Sequence, residues 1–287
     1  MKKIVILVVA ALATMMSFGQ EQAEENTKTL SFAYDAGAEV VSAYIWRGQY
    51  NGGLSFQPTL DLGWDSEHTS FRFGAWGSVG ASDWKFQKEG TYFIPELDIY
   101  GTFNLWGVTL GFTHYYYFGG SNFFSWDKVA NWDEDKLESN TSTTEITVGY
   151  DFSVLDLCGL YFTWNTMVAG NDFAYTEEEE IDKRAYSSYL EIGYDYTWEK
   201  PGLTLGGAIG MVPWASDYYG TDKFAVTNLT LKLNKAWDLD VCELDLYAQG
   251  TINPTGIDKG NAYIAGTGDE KIGEQRLNGC IGLGVWF

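Results

Sequence analysis

The sequence predicts an all-β fold, a transmembrane antiparallel β-barrel of about twelve strands, and three observations predict it. Hydrophobic residues are 45% of the 287-residue chain, yet beyond residue 19 no apolar run approaches the ~20 residues a spanning helix needs. The apolar content is spread by alternation instead, as expected where successive side chains point to opposite faces of a strand. The connections between alternating segments are by turns short and long, the asymmetry of barrels with tight periplasmic turns and longer extracellular loops.

Taken in order, residues 1–19 read as an export peptide. Lys2 and Lys3 precede an apolar run from Ile4 to about Met16, and Ser17-Phe18-Gly19 supplies small residues for cleavage. No Cys flanks that point, so a lipid-anchored product is not expected. Residues 20–32 form a short periplasmic segment, and 33–287 the outer-membrane barrel. Alternation marks strands over 33–47, 54–65, 68–80, 91–104, 106–118, 141–152, 157–170, 184–197, 202–211, 222–235, 239–250 and 276–287. The second is the clearest, with Leu54, Phe56, Pro58, Leu60, Leu62 and Trp64 on one face and Ser55, Gln57, Thr59, Asp61, Gly63 and Asp65 on the other. The ninth is rich in Gly, and 251–275 has room for a further hairpin around Ala262 to Ala265. Short turns fall near Ser66-Glu67, Leu105, Ser153 to Asp156, Trp198 to Gly202 and Ala236-Trp237. Long connections fall at 48–53, 81–90, 119–140, 171–183, 212–221 and 251–275.

The last strand alternates through Leu277, Gly279, Ile281, Leu283 and Val285 and ends on Phe287. It resembles the closing strand that the barrel assembly machinery of Gram-negative bacteria reads as a signal, with Cys280 where a polar residue is usual. Aromatic residues are 17% of the chain. Trp and Tyr favour the membrane interface, so two girdles are expected. Tyr44, Trp46, Tyr115 to Phe118, Trp214, Tyr218 and Tyr219 mark the outer one; Trp64, Trp106, Trp198, Trp237 and Phe287 mark the inner one.

If the apolar face meets lipid, the other face lines the lumen. The expected pore-lining charges are Arg47, Asp61, Arg72, Glu96, Asp98, Glu145, Glu191, Lys232, Glu243, Asp245 and Arg276, joined by Asp35, Glu39, Tyr100, Tyr161, Tyr189 and Tyr247. Carboxylates outnumber bases, and such a lining concentrates cations and repels anions. The same charges, paired across a narrow interior, would plug it.

The segments VSAYIWRGQYNGGLSFQPTLDLGW from Val41, SFRFGAWGS, PELDIYGTF and GVTLGFTHYYYFGG together resemble the TorF-like porin family over about the first third of the chain. The matching residues are Ser42, Tyr44, Trp46, Arg47 and Gly48, then Gln57, Trp76 and Ser78, then Glu96, Asp98 and Tyr100. Ala43 stands where Asp is usual, and Gly77 is inserted before Ser78. The resemblance implies an outer-membrane barrel with a transport role. Within that block Arg47 is expected either to latch onto Glu96 or Asp98 or to touch solute.

Other classes fit poorly. The formal net charge of -21 lacks the basic footprint that nucleic acid binding needs. A serine hydrolase normally needs a base beside the nucleophile. The two histidines are His68, in a predicted turn, and His114, on the lipid-facing side with Val108, Leu110 and Phe112. Cys158, Cys242 and Cys280 are isolated and have no zinc spacing, so three free buried thiols and no cofactor are expected. The acidic runs Asp133-Glu134-Asp135 and Glu177 to Glu180 read as loop charge bridged to lipopolysaccharide by divalent ions. The expected function is passive diffusion of small hydrophilic solutes with cation preference, by a barrel held in outer-membrane lipid. The alternative is a non-conducting or adhesive barrel acting through loops 119–140 and 251–275, the first carrying Phe123, Phe124, Trp126 and Trp132.

Overall fold

The computed structural model describes residues 31–80, 96–118, 123–124, 142–155, 159–175, 181–216, 218–255 and 277–287. The strands are β1 (Ser31–Val41), β2 (Tyr44–Trp46), β3 (Gln49–Gly52), β4 (Ser55–Asp65), β5 (Thr69–Gly80), β6 (Glu96–Leu105), β7 (Val108–Tyr117), β8 (Ser142–Asp151), β9 (Leu160–Gly170), β10 (Phe173–Tyr175), β11 (Ile181–Arg184), β12 (Ser188–Trp198), β13 (Leu203–Val212), β14 (Ala225–Leu239), β15 (Cys242–Ile252) and β16 (Leu277–Trp286). Twelve of them close a barrel in the cyclic order β1-β16-β15-β14-β13-β12-β9-β8-β7-β6-β5-β4, every neighbour antiparallel. β2–β3 and β10–β11 are separate two-stranded pieces, and the one helical turn among the described residues is a 3-10 turn at Phe152–Leu155.

The alternation read from the sequence becomes the two surfaces of the wall. Along β16, Leu277, Ile281 and Leu283 are exposed while Asn278, Cys280, Gly282 and Gly284 are buried. Along β4, Phe56, Leu60, Leu62 and Trp64 are exposed while Ser55 and Gln57 are buried. Leu231, Leu233, Phe71, Phe73 and Ile146 continue the band on other strands. An apolar belt of this extent would be a severe liability against water and is the expected surface against lipid. Closure removes the edges of the barrel sheet, so its strands satisfy their amides within the wall.

The seam closes on the chain's last residues. β1 and β16 pair from Gly37↔Trp286 to Val41↔Gly282, and the Phe287 amide donates to the Ala36 carbonyl at 2.8 Å. The β4–β5 ladder loses its partners at Gln57 and Pro58 and resumes at Phe56↔Val79, because proline has no amide hydrogen to donate. Four of the five connections at the end carrying both termini are short: residues 66–68 join β4 to β5, 106–107 join β6 to β7, 199–202 join β12 to β13, and 240–241 join β14 to β15, while the chain leaves β8 for β9 through the 3-10 turn. The opposite end carries β2–β3, β10–β11 and residues 213–224.

The strand expected over 33–47 is corrected. β1 stops at Val41, and Tyr44–Gly52 makes a hairpin of its own. Arg47 (φ 49°) and Gly48 (φ 84°) form its left-handed tip, a conformation glycine adopts without strain. A side chain at Gly48 would collide with the backbone carbonyl of Thr227 on β14, so the tip also needs the missing Cβ for close approach. The export peptide, the hairpin considered near Ala262 to Ala265, the acidic runs, Trp126, Trp132, Cys158 and Arg276 lie outside the described residues.

Candidate functional site

The β2–β3 hairpin does not extend the wall; it folds into the bore. It springs from the β1–β4 seam, yet Arg47 at its tip donates two hydrogen bonds to Glu145 on β8, from Nη1 at 2.6 Å and from Nη2 at 2.8 Å. In the cyclic strand order β8 lies across the ring from that seam, so the hairpin spans the lumen. The Arg47 guanidinium also donates to the Tyr219 hydroxyl at 2.7 Å and lies 4.5 Å from the Trp46 ring centroid and 4.7 Å from that of Tyr189. Trp46 stacks on Tyr219 with centroids 6.0 Å apart, and Tyr219 stacks on Tyr189 at 5.9 Å. At the base, Ile45 and Tyr50 pack on the buried cluster of Val41, Ala43, Tyr247 and Cys280. Tyr44 meets Trp76 of β5 at 5.4 Å.

Two sequence-based expectations change here. Arg47 latches onto Glu145 rather than Glu96 or Asp98, because the tip crosses the bore beyond β6. Tyr44, Trp46, Tyr218 and Tyr219 do not join a girdle. They fill the lumen, since both segments that carry them fold inward. Burial, the largest influence on Tyr219, pushes its hydroxyl above the ordinary phenol range against the opposing pull of Arg47, so it stays protonated. Trp214 remains partly exposed and packs on Trp164.

Beneath the hairpin lies a cavity of about 390 Å³ whose lining includes Arg47, Glu191, Asp195, Asn228, Lys232 and Gln249. Its volume falls within the ~300–1,000 Å³ of small-molecule sites, and its lining is predominantly polar. Asp195, Asn228 and Gln249 were not singled out from the sequence. They stand at inward positions of assigned strands, so parity alone would have found them.

The lumen carboxylates are held mostly by phenols. Tyr100 donates to Asp61 at 2.9 Å, Tyr115 to Glu145 at 3.1 Å, Tyr161 and Tyr189 to Glu191 at 3.1 and 2.5 Å, and Tyr247 to Glu39 at 3.5 Å. Glycine on the adjacent strand makes room for several of these rings: a Cβ at Gly74, Gly193, Gly210 or Gly282 would overlap Tyr100, Tyr161, Tyr189 or Tyr247 respectively. A phenol steadies a carboxylate without cancelling its charge. Among the described inward bases, Arg47 pairs with Glu145, Arg72 pairs with Asp65 near the short-turn end, and Lys232 lies 3.8 Å from the Tyr247 ring centroid. Asp245 lies on the inward side of β15 within hydrogen-bond reach of Asn234, at 3.4 Å, and Glu243 precedes it on the same face nearer the short-turn rim.

Glu96 and Asp98, on the inward face of β6, are 4% and 7% exposed. Glu96 Oε1 and Asp98 Oδ1 are buried without a hydrogen-bond partner. The hydroxyls of Tyr44 and Tyr117 approach Glu96, and the Tyr116 amide approaches Asp98. The quoted motif residues therefore converge: Tyr44, Trp46, Arg47 and Gly48 form the hairpin, and Trp76, Glu96 and Asp98 stand on the wall beside its base.

His114 departs from its expected lipid exposure. It is buried beneath Phe123 and Phe124, with hydrogen bonds at 2.8 Å to Thr144 Oγ1 and 2.6 Å to the Phe123 carbonyl. Cys280 is free and buried; Cys242 is free but only partly buried, because it opens β15 where the chain leaves a short turn.

No family model and no curated protein matches the chain. Among solved structures it is similar to Salmonella typhi OmpF in complex with daunomycin, at 10% identity over 90% of this chain and 97% of that one, with a TM-score of 0.27.

Proposed function

We propose that this chain is a porin-like barrel of the outer membrane that lets small hydrophilic solutes diffuse passively, with a preference for cations. The observation that carries the reading is a closed barrel, apolar outside, whose inner carboxylates are held by tyrosines around a polar cavity. Field and width select in such a lumen, and no covalent step is required. The resemblance to TorF-like porins supports the same reading, because several of its motif residues gather at the hairpin inside the bore. Lipopolysaccharide and bilayer lipid then cover the apolar belt, and the assembly machinery reads the closing strand.

The hairpin narrows the path, so conductance should be small for a twelve-stranded wall. The test is single-channel recording of the refolded mature chain in a planar bilayer under a salt gradient. Discrete steps with a cation-selective reversal potential are expected. The triple variant Glu39→Gln, Asp61→Asn, Glu191→Gln keeps an acceptor for each tyrosine and should move the reversal potential toward zero. No steps from chain shown to be folded by heat-shifted gel mobility, with and without the hairpin, would overturn the channel reading.

A further inference from the structure

Glu96 and Asp98 stand two positions apart on β6, so both side chains leave the same face of the strand. Each is more than nine-tenths buried and each keeps one oxygen without a partner. No described ion pair reaches either group: Arg47 is committed to Glu145, and Arg72 to Asp65 at the other end. Among the described residues, the remaining charge in range of Asp98 is Glu145, which is also negative. Two dry carboxylates without a base are strongly disfavoured as ions. Such a pair needs a positive occupant.

We propose that Glu96 and Asp98, with the hydroxyls of Tyr44 and Tyr117 beside them, form a binding site for a hard divalent cation of the calcium type. Every available donor is oxygen, which suits a hard ion and not zinc or copper. Two carboxylates match a divalent charge. Calcium is favoured over magnesium, which sheds its water reluctantly and would not enter a site this dry. Two carboxylates and two phenols fall short of an all-carboxylate cage, so the affinity belongs to the weaker class, with dissociation constants of ~10⁻⁴–10⁻³ M. The ion would tie β6 of the wall to Tyr44 of the hairpin, and so hold the hairpin base in the bore.

The test is terbium luminescence from the refolded full chain in detergent micelles, excited through the aromatic rings. Tyr44 and Tyr117 adjoin the site and Trp76 packs on Tyr44, so energy transfer is short-range. Saturable emission is expected, displaced by calcium at lower concentration than by magnesium. The variant Glu96→Gln, Asp98→Asn should lose it at least tenfold while keeping its heat-shifted mobility; if the double variant fails to fold, either single substitution carries the same comparison. Equal emission from wild type and variant, or none from folded wild type, overturns the site and leaves a shared proton as the occupant. No current is read, so this site and the channel reading fail independently.

Discussion

At the scale of the residue, Arg47 decides most about the lumen. Its guanidinium is clamped between two rings and bidentate to Glu145, with side chains 13% and 2% exposed. Breaking a buried pair leaves the other charge stranded, typically at a cost of about 3–5 kcal/mol. Glu145→Gln is therefore expected to free the hairpin tip while the wall, whose ladders are backbone bonds that use neither side chain of this pair, stays closed. Single-channel conductance should rise in that variant; unchanged conductance would mean the latch does not hold the constriction. That Arg47 matters was legible from its place after two aromatics and before a glycine. Its partner was not, because Glu145 lies 98 positions away and nothing local distinguishes it from Glu96 or Asp98.

At the scale of the element, the β2–β3 hairpin and the strands obey different rules. β1 and β4 pair along their whole length, Ser31↔Asp65 to Val41↔Ser55, so the wall needs nothing from the residues between them. Replacing Tyr44–Gly52 by a short Gly-Ser turn should leave the barrel folded, by heat-shifted mobility, and raise conductance severalfold. Loss of the folded form would instead make the hairpin part of the wall's stability. The alternation of Tyr44 and Trp46 continues that of β1, and for that reason the sequence reads as one strand to residue 47. Alternation specifies which side of a sheet a side chain takes, not whether the sheet still continues. The neighbours that end it, Ser42 bonded to the Ile281 carbonyl and Thr227 against Gly48, come from distant strands.

At the scale of the whole molecule, solvent assignment governs. The exposed leucines and aromatics are the face the proposed function sets against lipid, which gives a direct expectation: Leu231→Arg, near the middle of β14 and 60% exposed, should cost ~2–4 kcal/mol of folding stability in lipid vesicles. Urea unfolding checks it, and no loss would contradict the membrane belt. The sequence by itself determined the barrel class with about twelve strands, the two faces of each strand and the closing role of the last residues, and the closed ring fixed the number at twelve. Those follow from period-two alternation and from the need of a lipid-embedded backbone to bond within itself, both local constraints written residue by residue. Only the tertiary structure decided that two connections turn inward, that Arg47 crosses the bore to Glu145, that most of the other inward carboxylates are held by tyrosines, and that Glu96 and Asp98 share a dry corner. Each of these depends on which distant strands face one another once the ring closes, and closure is a property of the whole chain that no short window of sequence contains.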